Sequence, residues 1–258
     1  MTFRQTGMNF NFGVVAEYHQ LFLKGTLLAI GMTLVCVVIG IVLGILLGMG
    51  RLAESKYAPW NHILRFGVQW PVRIYVSFFR GTPLFVKILL FHFALMPLFI
   101  HPTDGWFVSG DLARELRGEY GAFISGTAAI AMNLGAYLSE VFRAGIQSLE
   151  KGQTEASRSL GMTYWQSMWH VILPQAFTRM LPATGNYTIS TLKDTSLVSA
   201  IGFAELAYAA RSVAAATGKY WEPYLTAALM YWVIVTLMAW GLSHLEAKLG
   251  QSERTIDL

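Results

Sequence analysis

The 258-residue chain has a single cysteine, Cys36, so it holds no disulfide framework and no Cys/His set at metal-ligand spacing. Its six histidines, His19, His62, His92, His101, His170 and His244, are scattered, and each reads as an interfacial or packed residue rather than a ligand. A His-Glu-x-x-His pair and convergent aspartates are missing, which argues against a membrane enzyme. Thr217-Gly218-Lys219-Tyr220 comes nearest to a phosphate-binding loop, but the upstream glycine is absent and Tyr220 stands where Ser or Thr is needed. ATP hydrolysis by this chain is therefore not expected. Charge is scarce too, at 13% of residues against roughly one-quarter in soluble domains. Internal repeats, low-complexity tracts and long linkers are lacking, so residues 1–258 are read as one domain.

What the chain does have is apolar surface: 54% of residues are hydrophobic and 14% aromatic. The excess is gathered into segments of about 20 residues or more, the length that crosses a hydrocarbon core of about 30 Å. Five spans are read, approximately 21–49, 68–100, 122–141, 177–201 and 224–245, which makes an all-α, polytopic membrane protein. The fourth is interrupted by Pro182, Asn186, Lys193 and Asp194. The first 20 residues are too polar for the apolar part of a signal peptide and the run after them is too long for one, so the first span is expected to stay as an anchor. Cys36, inside it, reads as a small apolar filler.

Orientation follows from Lys and Arg. Arg51, Lys56, Arg65, Arg143, Lys151, Arg158, Arg179, Lys248 and Arg254 fall on one side, and Arg4, Lys24, Arg114, Arg117, Arg211 and Lys219 on the other. The bias places the N-terminus outside and the C-terminus in the cytoplasm. These loops account for the net charge of +4, so no nucleic-acid partner is implied.

Two helix faces can be read from spacing. Gly40, Gly44 and Gly48 form a stripe without side chains that admits another helix closely. In the third span Ala131, Gly135 and Ser139 make a similar stripe, while Asn133, Tyr137 and Glu140 fall on the opposite, polar side. A charged group at the bilayer centre costs about 2.5–3.5 kcal/mol on insertion scales, so such residues face a partner or a wet path. In the fourth span Asn186, Ser190, Lys193 and Asp194 share one face. Adjacent Lys193 and Asp194 need different partners. Either they receive a zwitterion together with Thr195 and Ser196, or they pair with Arg80, Glu140 or Glu205.

The run Phe79-Arg80-Gly81-Thr82-Pro83-Leu84 sets a Gly and a Pro inside an apolar segment and so releases backbone groups near the pathway. It can equally be a kink, or a helix start with Thr82 as N-cap and Pro83 at the first helical position. Between the third and fourth spans, in the segment 144–175, Glu155 to Leu160 suits a short helix with Glu155 at its positive end and Gly161 as a left-handed cap. Thr163 with Gln166 reads as a capping box, and the helix it opens is expected to stop at Pro174. The pair forms either a projection suited to a partner's groove or an ordinary amphipathic loop. The outer segment 101–120 reads as a turn and a short exposed helix.

Glu155-Ala156, Gly161 and Val171-Ile172-Leu173-Pro174 resemble the EAA loop of ABC importer permeases, with Ser157 in place of the third residue and Val171 in place of Ile. Arg80-Gly81-Thr82-Pro83-Leu84, Ala136-Tyr137 with Glu140, Arg143-Ala144-Gly145-Ile146, Gly152-Gln153 and Lys193-Asp194-Thr195-Ser196-Leu197 resemble the polar amino acid permeases of the histidine/glutamine type. The resemblance implies a permease in the bacterial inner membrane that moves a polar amino acid by alternating access. It further implies a second permease copy or homologous permease, an amino acid-binding protein outside the membrane, and ABC ATPase subunits that bind the ATP and Mg, with no cofactor in this chain. It makes Glu155, Ala156, Ser157, Leu160 and Gly161 a coupling helix, and sets the substrate path along Arg80, Thr82, Asn133, Tyr137, Glu140, Asn186, Lys193, Asp194, Thr195 and Ser196. A secondary amino acid transporter or channel component is the competing reading, but five spans without a repeat fit it poorly.

Overall fold

The computed structural model describes residues 11–52, 58–149 and 151–254, with side chains at 58–60, 151 and 249–254 excepted. Of the charges behind the orientation argument, Arg4 and Lys56 lie outside the described residues, and Lys151 and Arg254 are described by backbone alone. The helices in chain order are α1 (Gly13–Glu17), α2 (His19–Leu52), α3 (Ala58–Leu64), α4 (Trp70–Gly81), α5 (Leu84–Leu90), α6 (Met96–Phe99), α7 (Gly110–Glu119), α8 (Gly121–Gln147), α9 (Lys151–Ser159), α10 (Tyr164–Ser167), α11 (Leu173–Asp194), α12 (Leu206–Thr217) and α13 (Trp221–Arg254). Among the described residues the only β pairing is an isolated bridge between Ile100 and Val108, in the outer segment that leads into α7.

Three helices cross as single spans, His19–Leu52, Gly121–Gln147 and Trp221–Lys248. The core of the bundle is the seam between α2 and α8. A Cβ on Gly40, Gly44 or Gly48 would strike Leu134, Leu138 or Phe142 in turn. Each four-residue step along α2 thus matches a four-residue step along α8, so the two helices run parallel, and the missing side chains set how closely they approach. Gly135 returns the contact against Leu43. Cys36 is buried in this seam as expected, its thiol reaching the Thr127 carbonyl at 3.8 Å. α11 runs antiparallel to α8, with Gly145 against Met180 and Tyr137 against Tyr187, and α13 runs antiparallel to α11 in turn, with Gly185 against Leu242.

The second span departs from the expectation of one crossing over 68–100. Asn61–Gly81 and Leu84–Phe99 meet at 109°. α5 and α6 run antiparallel to α8, with Lys87 beside Asn133, His92 beside Ser125 and Met96 beside Gly121, whereas α4 lies across the bundle. Thr82 is extended, as the residue before a proline tends to be, and it does not cap the next helix. Its hydroxyl bonds back to the Phe78 carbonyl at 2.8 Å, and Pro83 occupies the N-cap of α5.

The fourth span is longer than 177–201. The chain is helical from Tyr164 to Ile201, through a π turn at Met168–Ile172 and a 3₁₀ helix at Thr195–Ile201, then bends by 44° into α12. Pro174 therefore does not stop the helix. Three π turns, Arg65–Gln69, Phe91–Leu95 and Met168–Ile172, each end two residues before a proline, Pro71, Pro97 and Pro174. A proline inside an α-helix collides with the carbonyl four residues back and leaves it without a donor. The wider turn changes the hydrogen-bond register there and lets the helix continue.

Candidate functional site

Two polar layers lie along the same side of α8. The first is built on Glu140. Its Oε1 accepts hydrogen bonds from Arg51 Nη1 at 2.5 Å and Arg80 Nη1 at 3.0 Å, and its Oε2 accepts from Arg143 Nη2 at 2.9 Å and Nε at 3.1 Å. One carboxylate thus joins the end of α2, the end of α4 and the next turn of its own helix. The Arg80 guanidinium also lies 5.5 Å from the centroid of the Tyr137 ring, which packs at 5.3 Å against Tyr187 of α11. A cavity of about 430 Å³ opens beside them, with Arg51, Arg73, Ser77, Arg80, Tyr137 and Glu140 in its wall.

About two turns away, near the middle of α8, lies the second layer. Asn133 is buried there and accepts a hydrogen bond from Lys87 at 2.6 Å. Lys87 is only 1% exposed and also donates to the carbonyls of Phe79 and of Thr82, the latter at 3.0 Å. Asp194, at the end of α11, interacts electrostatically with Lys193 and with Lys87.

The expected path residues therefore fall into three groups. Arg80, Tyr137 and Glu140 are in mutual contact in the first layer, and Asn133 belongs to the second with the carbonyl of Thr82. On α11, Asn186 and Lys193 are exposed and Asp194 half-buried, while the Thr195 and Ser196 hydroxyls turn back to the carbonyls of Leu192 and Lys193. None of the three partners considered for Lys193 and Asp194 is used. Arg80 and Glu140 pair with each other. Glu205, fully buried, caps α12 by accepting from the amides of Ala207 and Tyr208 at 2.9 Å, and accepts from the Tyr231 hydroxyl at 2.5 Å.

Lys87 is the residue that reading the sequence passed over, because one cation does not lower an apolar run enough to mark it. Its signal is the spacing Phe79, Pro83, Lys87: a long donor sits four residues beyond a proline that leaves a carbonyl unpaired four residues before it. Arg51, noted only for orientation, reaches Glu140 across 89 positions of sequence, and no local pattern announces that.

At the end of α8 the projection forms. α9 begins at Lys151, so Glu155 sits in the middle of the helix and not at its N-terminus, which removes the helix-end argument for its charge. Gly161 has φ +82°, the left-handed cap that its position requires. The capping box is made, with Thr163 Oγ1 accepting from the Gln166 amide at 3.3 Å and Gln166 Oε1 accepting from the Thr163 amide at 2.9 Å. Glu155, Ala156 and Gly161 are exposed and Leu160 is 82% exposed, whereas Ser157 is buried and shares a hydrogen bond of 2.5 Å with Ser167. Ser157 fastens α9 to α10, and the other four residues form the outward surface.

A multi-span helical bundle with charged groups paired inside it is the architecture of a polytopic membrane protein. The family model of the binding-protein-dependent transport system inner membrane component matches residues 61–251, and the chain belongs to that family. It is the membrane component of an ABC importer, whose ATPase is a separate subunit. It is 30% identical to the arginine transport system permease protein ArtQ of Bacillus subtilis (strain 168), over 95% of this chain and 100% of that protein. The glutamate/aspartate import permease protein GltK of Escherichia coli O157:H7 is 37% identical over 82% of this chain and 86% of its own length. Among solved structures, an amino acid ABC transporter with histidines superposes with a TM-score of 0.76 at 34% identity, over 93% of this chain and 100% of that one. An inward-facing MetNI methionine ABC transporter, 16% identical with a TM-score of 0.67, shares the fold.

Proposed function

We propose that this permease carries a polar amino acid across the bacterial inner membrane by alternating access. In this reading it works with a second copy of itself or a homologous permease, a pair of ABC ATPase subunits and an extracytoplasmic amino acid-binding protein. Its N-terminus is outside and its C-terminus cytoplasmic, so α9 projects toward the ATPase. The names of its relatives support an amino acid as cargo, and the polar layers around Glu140 and Asn133, with the exposed Asn186 and Lys193, line the path.

The observation that carries the reading is the α9 projection. A short helix held from behind by the Ser157–Ser167 bond and closed by Gly161 leaves Glu155, Ala156 and Leu160 facing outward, with no side-chain hydrogen bond or ion pair among the described residues. Leu160, Tyr164 and Trp165 are all exposed on this projection, and such a group of apolar side chains suits a partner's groove better than water. Glu155→Lys reverses the charge in that groove. In proteoliposomes containing the full complex, it is expected to leave the subunit inserted and uncouple ATP hydrolysis from uptake. Wild-type uptake in that variant, or uptake by the native complex that persists on an ion gradient with the ATPase inactivated, would remove the coupling role.

A further inference from the structure

We propose that Lys87 is a positioning residue of the transport path: its ammonium replaces the amide that Pro83 lacks, ties the break of the second span to Asn133 on α8, and has Asp194 as its counter-charge. In a continuous helix the Phe79 carbonyl would accept from the amide of residue 83, but Pro83 has none. Lys87 lies one turn into α5 and sends its Nζ back across the break to that same carbonyl. A second N–H satisfies the carbonyl of Thr82, which the extended backbone has also turned away from α4, and the third goes to Asn133 Oδ1 at 2.6 Å.

Hydrogen-bond valence decides the role. An ammonium has three donors and no acceptor, and all three face oxygens. The three oxygens match the three N–H groups of an ammonium in number. No donor is left for a cargo carboxylate. Lys87 therefore holds the wall of the path and does not bind what passes. The Phe79 ring, 5.4 Å from Nζ, covers the charge on one side.

That charge needs balance at this depth. Among the described residues no carboxylate forms an ion pair with Lys87, and Asp194 is the carboxylate within electrostatic reach. It stands at the junction of α11 with the Thr195–Ile201 turn, against which α5 packs. Asp194 thus stands between two cations of its own chain, its exposed neighbour Lys193 and the buried Lys87.

The role in transport rests on the function proposed above, whereas the clamp itself does not. The test uses the full complex with Lys87→Met, Lys87→Gln, Asp194→Asn and the Gln/Asn double variant, each measured for ATP-driven uptake of radiolabelled amino acids and for thermal unfolding. Lys87→Met is expected to lower the maximal uptake rate about tenfold while changing the apparent KM less than about threefold, as for groups that act on a path without touching cargo. Lys87→Gln, one bond shorter but with two N–H donors, is expected to recover most of that loss. Asp194→Asn should cost about tenfold in the native background and little beside Lys87→Gln, the non-additivity that marks a coupled pair.

Equal loss from Asp194→Asn in both backgrounds would overturn the counter-charge, and a Gln variant as poor as the Met variant would overturn the clamp. If the native complex shows no ATP-driven amino acid uptake, the transport reading and the positioning role fall together. The same four variants compared by unfolding temperature would still decide whether the clamp exists.

Discussion

Glu140→Gln is the perturbation whose size can be worked most directly from the structure. The carboxylate accepts four N–H groups from three arginines on two oxygens. Glutamine keeps one oxygen and replaces the other by an NH2 group that points donors at Arg143. Hydrogen bonds to charged groups contribute about 1.5–3 kcal/mol each, and four of them added together would overstate the loss. Arg80 is 44% exposed and Arg143 33%, so both recover water when released and are screened by salt. Removing one partner of a buried pair costs about 3–5 kcal/mol, and this partly open network belongs near 3 kcal/mol. For a chain of this size about 1 kcal/mol moves the melting temperature by roughly 2–4 °C, so a fall of roughly 6–12 °C is expected. The assay is thermal unfolding of the purified complex at two salt concentrations, together with uptake. The gap between native and variant should narrow at high salt, and adding Arg80→Gln to Glu140→Gln should restore part of it by removing an unpaired cation. A variant that melts with the native protein at low salt would show that the network holds nothing together, and the argument for it as the hub of α2, α4 and α8 would fail.

Two further substitutions test the fold. Gly44→Ala puts a Cβ 2.6 Å from Leu138 Cβ and 3.2 Å from that residue's carbonyl carbon, which cannot move aside without the helix. It should destabilise by about 1–3 kcal/mol, whereas Gly31→Ala on the same helix meets nothing within 4 Å and should be neutral or stabilising by up to about 1 kcal/mol; unfolding temperatures of the two variants give the comparison. Glu205→Ala removes the cap of α12 and strands the amides of Ala207 and Tyr208 in a buried site. Losing a cap costs about 1 kcal/mol and a buried unsatisfied donor about 1–3 kcal/mol more, so hydrogen exchange should be faster in Leu206–Thr217 than in α8.

Where burial follows from composition alone, the fold was legible. Spans read at 21–49, 122–141 and 224–245 lie inside His19–Leu52, Gly121–Gln147 and Trp221–Lys248. Each helix runs on past its apolar run at both ends. The glycine stripe at 40, 44 and 48 was visible as a seam, but its partner was not, since Leu134, Leu138 and Phe142 are unremarkable apolar residues in sequence. Proline misled in one place and informed in another. At Pro174 a π turn absorbs the ring and the helix continues, while at Pro83 no such turn precedes it and the chain breaks by 109°.

In the candidate site, what could be read was which residues were polar inside the membrane, and what could not be read was their pairing. Helical spacing put Asn133, Tyr137 and Glu140 on one side of α8, and they do share a side, yet Asn133 is sealed by Lys87 from one element and Glu140 by arginines from three. The cost of an unpaired charge in lipid explains the difference. It compels each such group to find a partner but is indifferent to where in the chain the partner lies, so spacing identifies the groups in need and only the packing of α2, α4, α5 and α11 around α8 chooses among them.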